Sequence, residues 1–165
     1  MALPAPIRFA RRHDAPEIAR MSRDLIEHGL GWSWTARRVL RSVADRQRNV
    51  IIAPGPAGGV AGFGIMQYLD DEAHLLLLAV DPSWRRRGIG AALVGWLEES
   101  ALVAGIGQVW LEARVTNQAA RAFYAHLGYR EVQRVAGYYS GVEASVRMAR
   151  DLWAQRPQPG AVRKG

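Results

Sequence analysis

The residues best placed to do chemistry lie in the run Val80-Asp81-Pro82-Ser83-Trp84-Arg85-Arg86-Arg87-Gly88-Ile89-Gly90-Ala91. A proline turn, consecutive arginines and two glycines open there directly into a segment with helical periodicity. The first N–H groups of a helix have no internal partners and carry the positive end of its dipole, so a helix beginning near Ile89 points donors at an anion. Gly88 and Gly90 would let the backbone approach a pyrophosphate without a Cβ in the way, and Arg85, Arg86 and Arg87 add positive charge. The plain alternative is a glycine turn carrying solvated arginines. A dinucleotide fingerprint would need a third glycine and an acidic residue about 20 positions on, whereas Ala92 and Leu93 follow here. A Walker loop would need Lys and Ser or Thr after Gly90, and neither is present.

Other reactive side chains are sparse. The chain has no cysteine, which removes disulfides, thiolate ligands and a thiol nucleophile. His13, His28, His74 and His126 show no metal-ligand spacing, so no metal is expected; His74 and His126 titrate in the right range for proton transfer but read as lone surface histidines.

The loop needs elements to hold it. Ala73 to Val80 contains the run Leu75 to Leu78, apolar on both faces as a central buried strand would be. After the loop, Ile89, Leu93, Leu97 and Ala101 recur every four residues and predict an amphipathic helix ending near Gly105. Gln108 to Ala113 reads as a strand, Asn117 to Leu127 as a helix stopped by Gly128, and strands are expected near Tyr129 to Gln133 and Ser145 to Met148. Before the loop, Ile7 to Phe9 alternates like a short strand. Asp14 with Glu17 has a capping-box pattern that predicts a helix to about Glu27, with Ile18, Met21, Leu25 and Ile26 on one face. Gly29 to Trp34 reads as a loop before a second helix capped by Thr35. Val50 to Ile52 and Val60 to Tyr68 form a hairpin. Strands first, with strand–helix units later, predict an α/β (α+β) class: a mixed sheet with helices on both faces.

A chain of 165 residues, 49% hydrophobic, is expected to form a single domain over residues 1–153, with a Pro- and Gly-rich basic tail over 154–165 expected to be disordered. The start lacks a signal-peptide pattern and no apolar run approaches the roughly 20 residues of a membrane span, so a cytoplasmic protein without a membrane partner is expected. The formal charge of +7 is dispersed in short arginine clusters. It suits a polyanionic ligand or an acidic partner; without a basic stripe or a known motif, nucleic acid is disfavoured.

Arg85, Gly88 and Gly90 fill the acetyl-CoA loop pattern of the GNAT acetyltransferases, and Asn117, Ala120, Phe123-Tyr124 and Leu127-Gly128-Tyr129 resemble the family's second motif. Leu78-Ala79-Val80-Asp81-Pro82, Trp110-Leu111-Glu112-Ala113-Arg114 and Tyr138-Tyr139 most resemble the ribosomal-protein alanine N-acetyltransferase branch, with Glu143-Ala144 where that branch usually has Glu-Asp. The resemblance implies a GNAT fold with a mostly antiparallel twisted sheet, and N-acetyl transfer from acetyl-CoA to a primary amine by direct attack in a ternary complex. It places the pantetheine arm along Leu78, Ala79 and Val80, the pyrophosphate on Arg86 to Ala91, and Asn117 beside the arm. It makes Glu112 the base for the amine, Tyr124 the acid for the leaving thiolate and the Val80 N–H the donor to the acyl oxygen. Trp32, Trp34, Tyr138 and Tyr139 are then expected to line the acceptor groove.

Each assignment has a simpler counterpart: a helix cap for Asn117, packing for Tyr124, pairing with Arg114 or another cation for Glu112, and helix packing for the tryptophans. The acceptor implied is a protein N-terminal amine. The alternatives are a small-molecule amine such as an antibiotic or polyamine, or a non-catalytic acyl-CoA-binding sensor, and the chain is expected to be a monomer or homodimer.

Overall fold

The computed structural model describes residues 5–137 and 143–154. Its seven strands form one sheet in the order β1-β2-β3-β4-β5-β7-β6. They are β1 (Arg8–Phe9), β2 (Arg48–Pro54), β3 (Val60–Tyr68), β4 (Glu72–Val80), β5 (Gln108–Arg114), β6 (Arg130–Val135) and β7 (Ser145–Asp151). All neighbours are antiparallel except β4 and β5, the pair that a helical crossover must join. The leucine-rich β4 is central, as its composition predicts.

Helices cover both faces. The helices α1 (Ala15–Met21) and α2 (Ala36–Ala44) pack over one face through Ile18, Met21 and Val39, which are buried with Ile52, Phe63 and Ile65. The helices α3 (Ile89–Val103) and α4 (Gln118–His126) cover the other; Ile89, Leu93, Leu97 and Ala101 are buried there, the every-fourth stripe of the sequence. Each fully buried leucine or isoleucine contributes about 1.5–3 kcal/mol. The sheet lets α3 close in because β3 carries glycine beneath it. A Cβ on Gly62 would stand 3.1 Å from Ile89, Leu93 and the Ala79 carbonyl, and one on Gly64 would stand 3.0 Å from Leu97.

The N-terminal helix departs from its sequence pattern. The Asp14 carboxylate does not cap it forward. It turns back, accepting from the Arg11 N–H at 2.7 Å and pairing with Arg8 at 2.9 Å, while Glu17 pairs with Arg20. The expected single helix to Glu27 becomes α1 followed by a π-helical segment, Ser22–Ile26. Thr35 and Asn117 do cap: each side-chain oxygen accepts a backbone N–H, from Arg38 at 3.3 Å and Ala120 at 3.1 Å. Helix α4 ends before Gly128, at φ +99°.

Two irregularities of the sheet make the site. Leu76 is an extra residue in β4, because Met66 pairs with Leu75 and Ile65 with Leu77. The alternation shifts phase there, so Leu75 packs on the α3 side while Leu77 and Ala79 pack on the α1 side. In addition, β4 and β5 pair only at Glu72↔Gln108, Ala73↔Val109 and His74↔Trp110. Beyond those pairs the strands part.

Candidate active site

The parted strands enclose a cavity of about 290 Å³. Leu75 to Leu78 of β4 form one wall and Leu111 to Arg114 of β5 the other. Asn117, Ala120 and Tyr124 close it from α4, and Leu25, Ile26, Glu27 and Leu30 from the π-helical segment and the loop after it. Arg114 ties the β5 wall to the π-helical segment by donating to the Ile26 carbonyl at 2.8 Å.

Tyr124 and Glu112 meet this cavity from opposite faces of the sheet. Tyr124 is buried on the α3 side with Leu111 and Ala113, and its ring packs edge-on against Phe123 and Tyr129. Burial pushes its phenol above the ordinary value, and its hydroxyl makes no hydrogen bond with a described residue. It is a protonated donor without a partner. Glu112 alternates out of that core onto the other face. There it accepts from Arg147 of β7 at 3.3 Å, the cation that its simpler reading required, whereas Arg114 is turned to Ile26. Arg147 lies over Trp110 at 4.1 Å, and Trp110 stacks on His74 at 3.5 Å. Burial lowers the His74 imidazole to about 4, opposed by Glu112 and reinforced by Arg147 and Arg48, so it is neutral at pH 7 and reads as a packing group.

At the end of β4, the backbone N–H groups of Arg86 to Ala91 donate to no described acceptor. Gly88 takes a left-handed φ of +76° with open space around it, and Arg86 takes φ +63°, a conformation that costs a non-glycine residue about 1 kcal/mol. Gly90 has a different reason: a Cβ there would stand 3.1 Å from the Phe123 ring, so its absence lets α3 pack on α4. The Arg85 Nε–H donates to the Val80 carbonyl at 3.4 Å, and Arg87 lies over Trp84 at 4.6 Å.

A family model described as the Acetyltransferase (GNAT) family matches residues 20–129. The chain belongs to the GNAT acetyltransferases. It is an N-acetyltransferase that uses acetyl-CoA. Over 119 residues, 70% of this chain and 79% of the relative, it is 34% identical to the ribosomal protein bS18-alanine N-acetyltransferase of Escherichia coli. The crystal structure of the Escherichia coli ribosomal-protein alanine N-acetyltransferase matches with a TM-score of 0.75 at 28% identity, covering 95% of this chain and 97% of that one. Ard1 from Thermoplasma volcanium matches with a TM-score of 0.77 at 27% identity, covering 89% and 97%. The GNAT cosubstrate fits the residues present: unpaired N–H groups and arginines suit a diphosphate, and a strand edge without a neighbour suits an extended amide-bearing arm.

The remaining sequence assignments divide. Asn117 lines the cavity while also capping α4. Leu78 lines the cavity, whereas Ala79 and Val80 continue β4 beyond its lining. Trp34 is corrected: it is 6% exposed, buried in the α1–α2 core under Arg38, and lines no part of the cavity. Trp32 is exposed, but its Nε1–H donates to the Trp34 carbonyl and it too is absent from the wall. Tyr138 and Tyr139 lie outside the described residues.

Glu27 is a wall residue that the sequence pattern treated only as a helix end. Its buried carboxylate accepts from Ser22 Oγ at 3.0 Å, Ser33 N at 2.7 Å, Ser33 Oγ at 2.6 Å and Trp34 N at 3.3 Å, folding the loop after the π-helical segment around itself. Burial opposes its charge, but these donors outweigh that and hold its pKa below the ordinary carboxylate value. No local pattern announces such a residue, since its donors come from both sides of a glycine-rich loop. Among the described residues no group of metal-binding side chains gathers, and no helix is long and apolar enough to cross a membrane.

Proposed function

We propose that the protein acetylates the α-amine of a protein N-terminus by direct attack on acetyl-CoA in a ternary complex. The observation that carries this reading is the cavity between β4 and β5, where a carboxylate reaches in from one face and an unpartnered phenol from the other. Donor and acceptor then meet through the sheet from opposite sides.

The pantetheine arm lies along Leu78 to Val80, and Asn117 binds it with the amide that the helix cap leaves over. The diphosphate sits on Arg85, Arg86, Arg87, Gly88, Ile89, Gly90 and Ala91. Glu112 takes the proton of the incoming ammonium, directly or through water. The amine nitrogen bonds to the acyl carbon, gives up its second, surplus proton to water, and the C–S bond breaks. The departing sulfur takes the Tyr124 proton, which solvent replaces, so one proton is released per acetyl group transferred. The bulge at Leu76 interrupts the β3–β4 ladder beside the cavity, and a backbone N–H turned out of the ladder there would suit the acyl oxygen as it gains charge. The choice of a protein N-terminus rests on the relative acting on a ribosomal-protein alanine and on its similar structure.

Initial rates over a grid of acetyl-CoA and N-terminal peptides, against aminoglycosides and polyamines at equal concentration, test the proposal. Intersecting double-reciprocal lines with an Ala-terminated peptide preferred by kcat/KM support it. Parallel lines refute direct attack, and preference for a polyamine or aminoglycoside refutes the acceptor.

A further inference from the structure

The side-chain nitrogens shut off from solvent and without a partner among the described residues, Arg48 Nε, Trp110 Nε1 and Arg147 Nε, belong to strand positions near His74. Sheet register relates them. Arg48 pairs across β2 and β3 with Gln67, Gln67 with His74, and His74 with Trp110, so these side chains share one face. At the Arg48 end lies a cavity of about 320 Å³ lined by Arg38, Arg41, Asp45 and Arg48. Three guanidinium groups face one carboxylate, which also accepts the Gln47 N–H at 2.8 Å.

Two of these arginines are held in place before any ligand arrives. Arg38 is stacked on Trp34 at 3.9 Å, and Arg48 donates to Ser42 Oγ at 2.9 Å. The Arg48 Nε–H stands 3.8 Å from Asp45, too far for a hydrogen bond, and is closed off from solvent. Arg41 makes no ion pair or hydrogen bond with a described residue. A net positive cavity with a stacked arginine, an anchored arginine and a free one is complementary to an anion with acceptor oxygens on several sides, which a tetrahedral phosphate offers and a planar carboxylate does not.

We propose that this cavity between α2 and the start of β2 binds a phosphate group, apart from the phosphates of acetyl-CoA. His74 and Val80 are six positions apart on β4, so the cavity lies about 20 Å from the loop that follows Val80. The inference is independent of which amine is acetylated. Two sources share the chemistry, a free polyphosphate and a nucleic-acid backbone, and the test separates them.

The protein is saturated with coenzyme A to fill the Arg85 to Ala91 loop and titrated with tripolyphosphate by calorimetry, in parallel with Arg41→Gln, Arg48→Gln and a surface control, Arg12→Gln. The Arg48 Nε–H resonance is followed by NMR. The expected result is saturable binding that shifts that resonance and weakens about tenfold or more in Arg41→Gln and Arg48→Gln but not in Arg12→Gln. Arg41 is exposed and unpartnered, so its replacement tests the site even if Arg48→Gln folds poorly. A short single-stranded RNA that competes with tripolyphosphate and weakens in the same variants assigns the site to a nucleic-acid backbone; tripolyphosphate binding without RNA competition assigns it to small phosphates. Absent binding, or binding equal in Arg41→Gln and wild type, overturns the proposal while leaving the acetyltransferase reading untouched.

Discussion

Replacing Tyr124 with phenylalanine separates catalysis from stability more cleanly than any other change in the site. The hydroxyl has no hydrogen-bond partner among the described residues, and the ring it hangs from is packed against Phe123 and Tyr129. Tyr124→Phe keeps the ring and removes a hydroxyl that makes no hydrogen bond with a described residue, so the fold loses no such bond and is expected to stay within about 1 kcal/mol of wild type. A positioned proton donor contributes about 10²–10⁴ in rate, or about 2.7–5.4 kcal/mol of barrier. The expected outcome is therefore a fall of that size in kcat with acetyl-CoA affinity nearly unchanged. Thiol release under saturating substrates measures the rate, calorimetry the affinity, and thermal melting the stability. Equal activity in the variant sinks the assignment of Tyr124 as acid. A fall in melting temperature that tracks the fall in rate would mean that the hydroxyl is structural.

Further outcomes follow from neighbouring features. Gly62→Ala puts a methyl group 3.1 Å from the Ala79 carbonyl and from Ile89 and Leu93, and should destabilise the fold by about 1–3 kcal/mol in chemical denaturation. Glu27→Gln sets an amide among donors from Ser22, Ser33 and Trp34; it should cost about 1–3 kcal/mol and raise the acceptor KM more than the acetyl-CoA KM, as steady-state kinetics would show. His74 is held neutral to about pH 4, against 6.5 for a free imidazole. Below 6.5 the unfolded chain takes up a proton that the native protein refuses, so its contribution to stability is full above pH 6.5 and is lost as pH falls toward 4. Denaturation at several pH values should show that slope in wild type and a flatter one in His74→Phe; equal slopes would refute it.

Elements whose signals are local were legible in the sequence. The four-residue stripe of α3, the caps at Thr35 and Asn117 and the leucine run of β4 are each set within one turn or one strand, and each lies where its pattern predicts. What failed depends on distant partners. Asp14 and Glu17 have capping-box spacing, but Arg8 and the Arg11 N–H compete for the Asp14 carboxylate. Trp32 and Trp34 are alike in composition and setting; only the packing of α1 and α2 buries one and exposes the other. The partner of Glu112 is Arg147, on a strand that follows the β6 return, and sequence distance conceals it. The bulge at Leu76 has no signal in a run of four leucines, where each position fits either face.

The parting of β4 from β5 also has a thermodynamic consequence. The two halves of the sheet are joined along this seam at only the first pairs of the ladder, so the walls from Leu75 and Leu111 onward lack the cross-strand bonds that hold every other interior junction. A ligand that bridges them supplies bonds the folded chain leaves unmade, and binding of this kind adds about 2.7 kcal/mol of stability at a hundred times its dissociation constant. The seam is in this sense a sheet short of one strand, and the proposed binding of the pantetheine arm there predicts a melting temperature that rises with coenzyme A concentration.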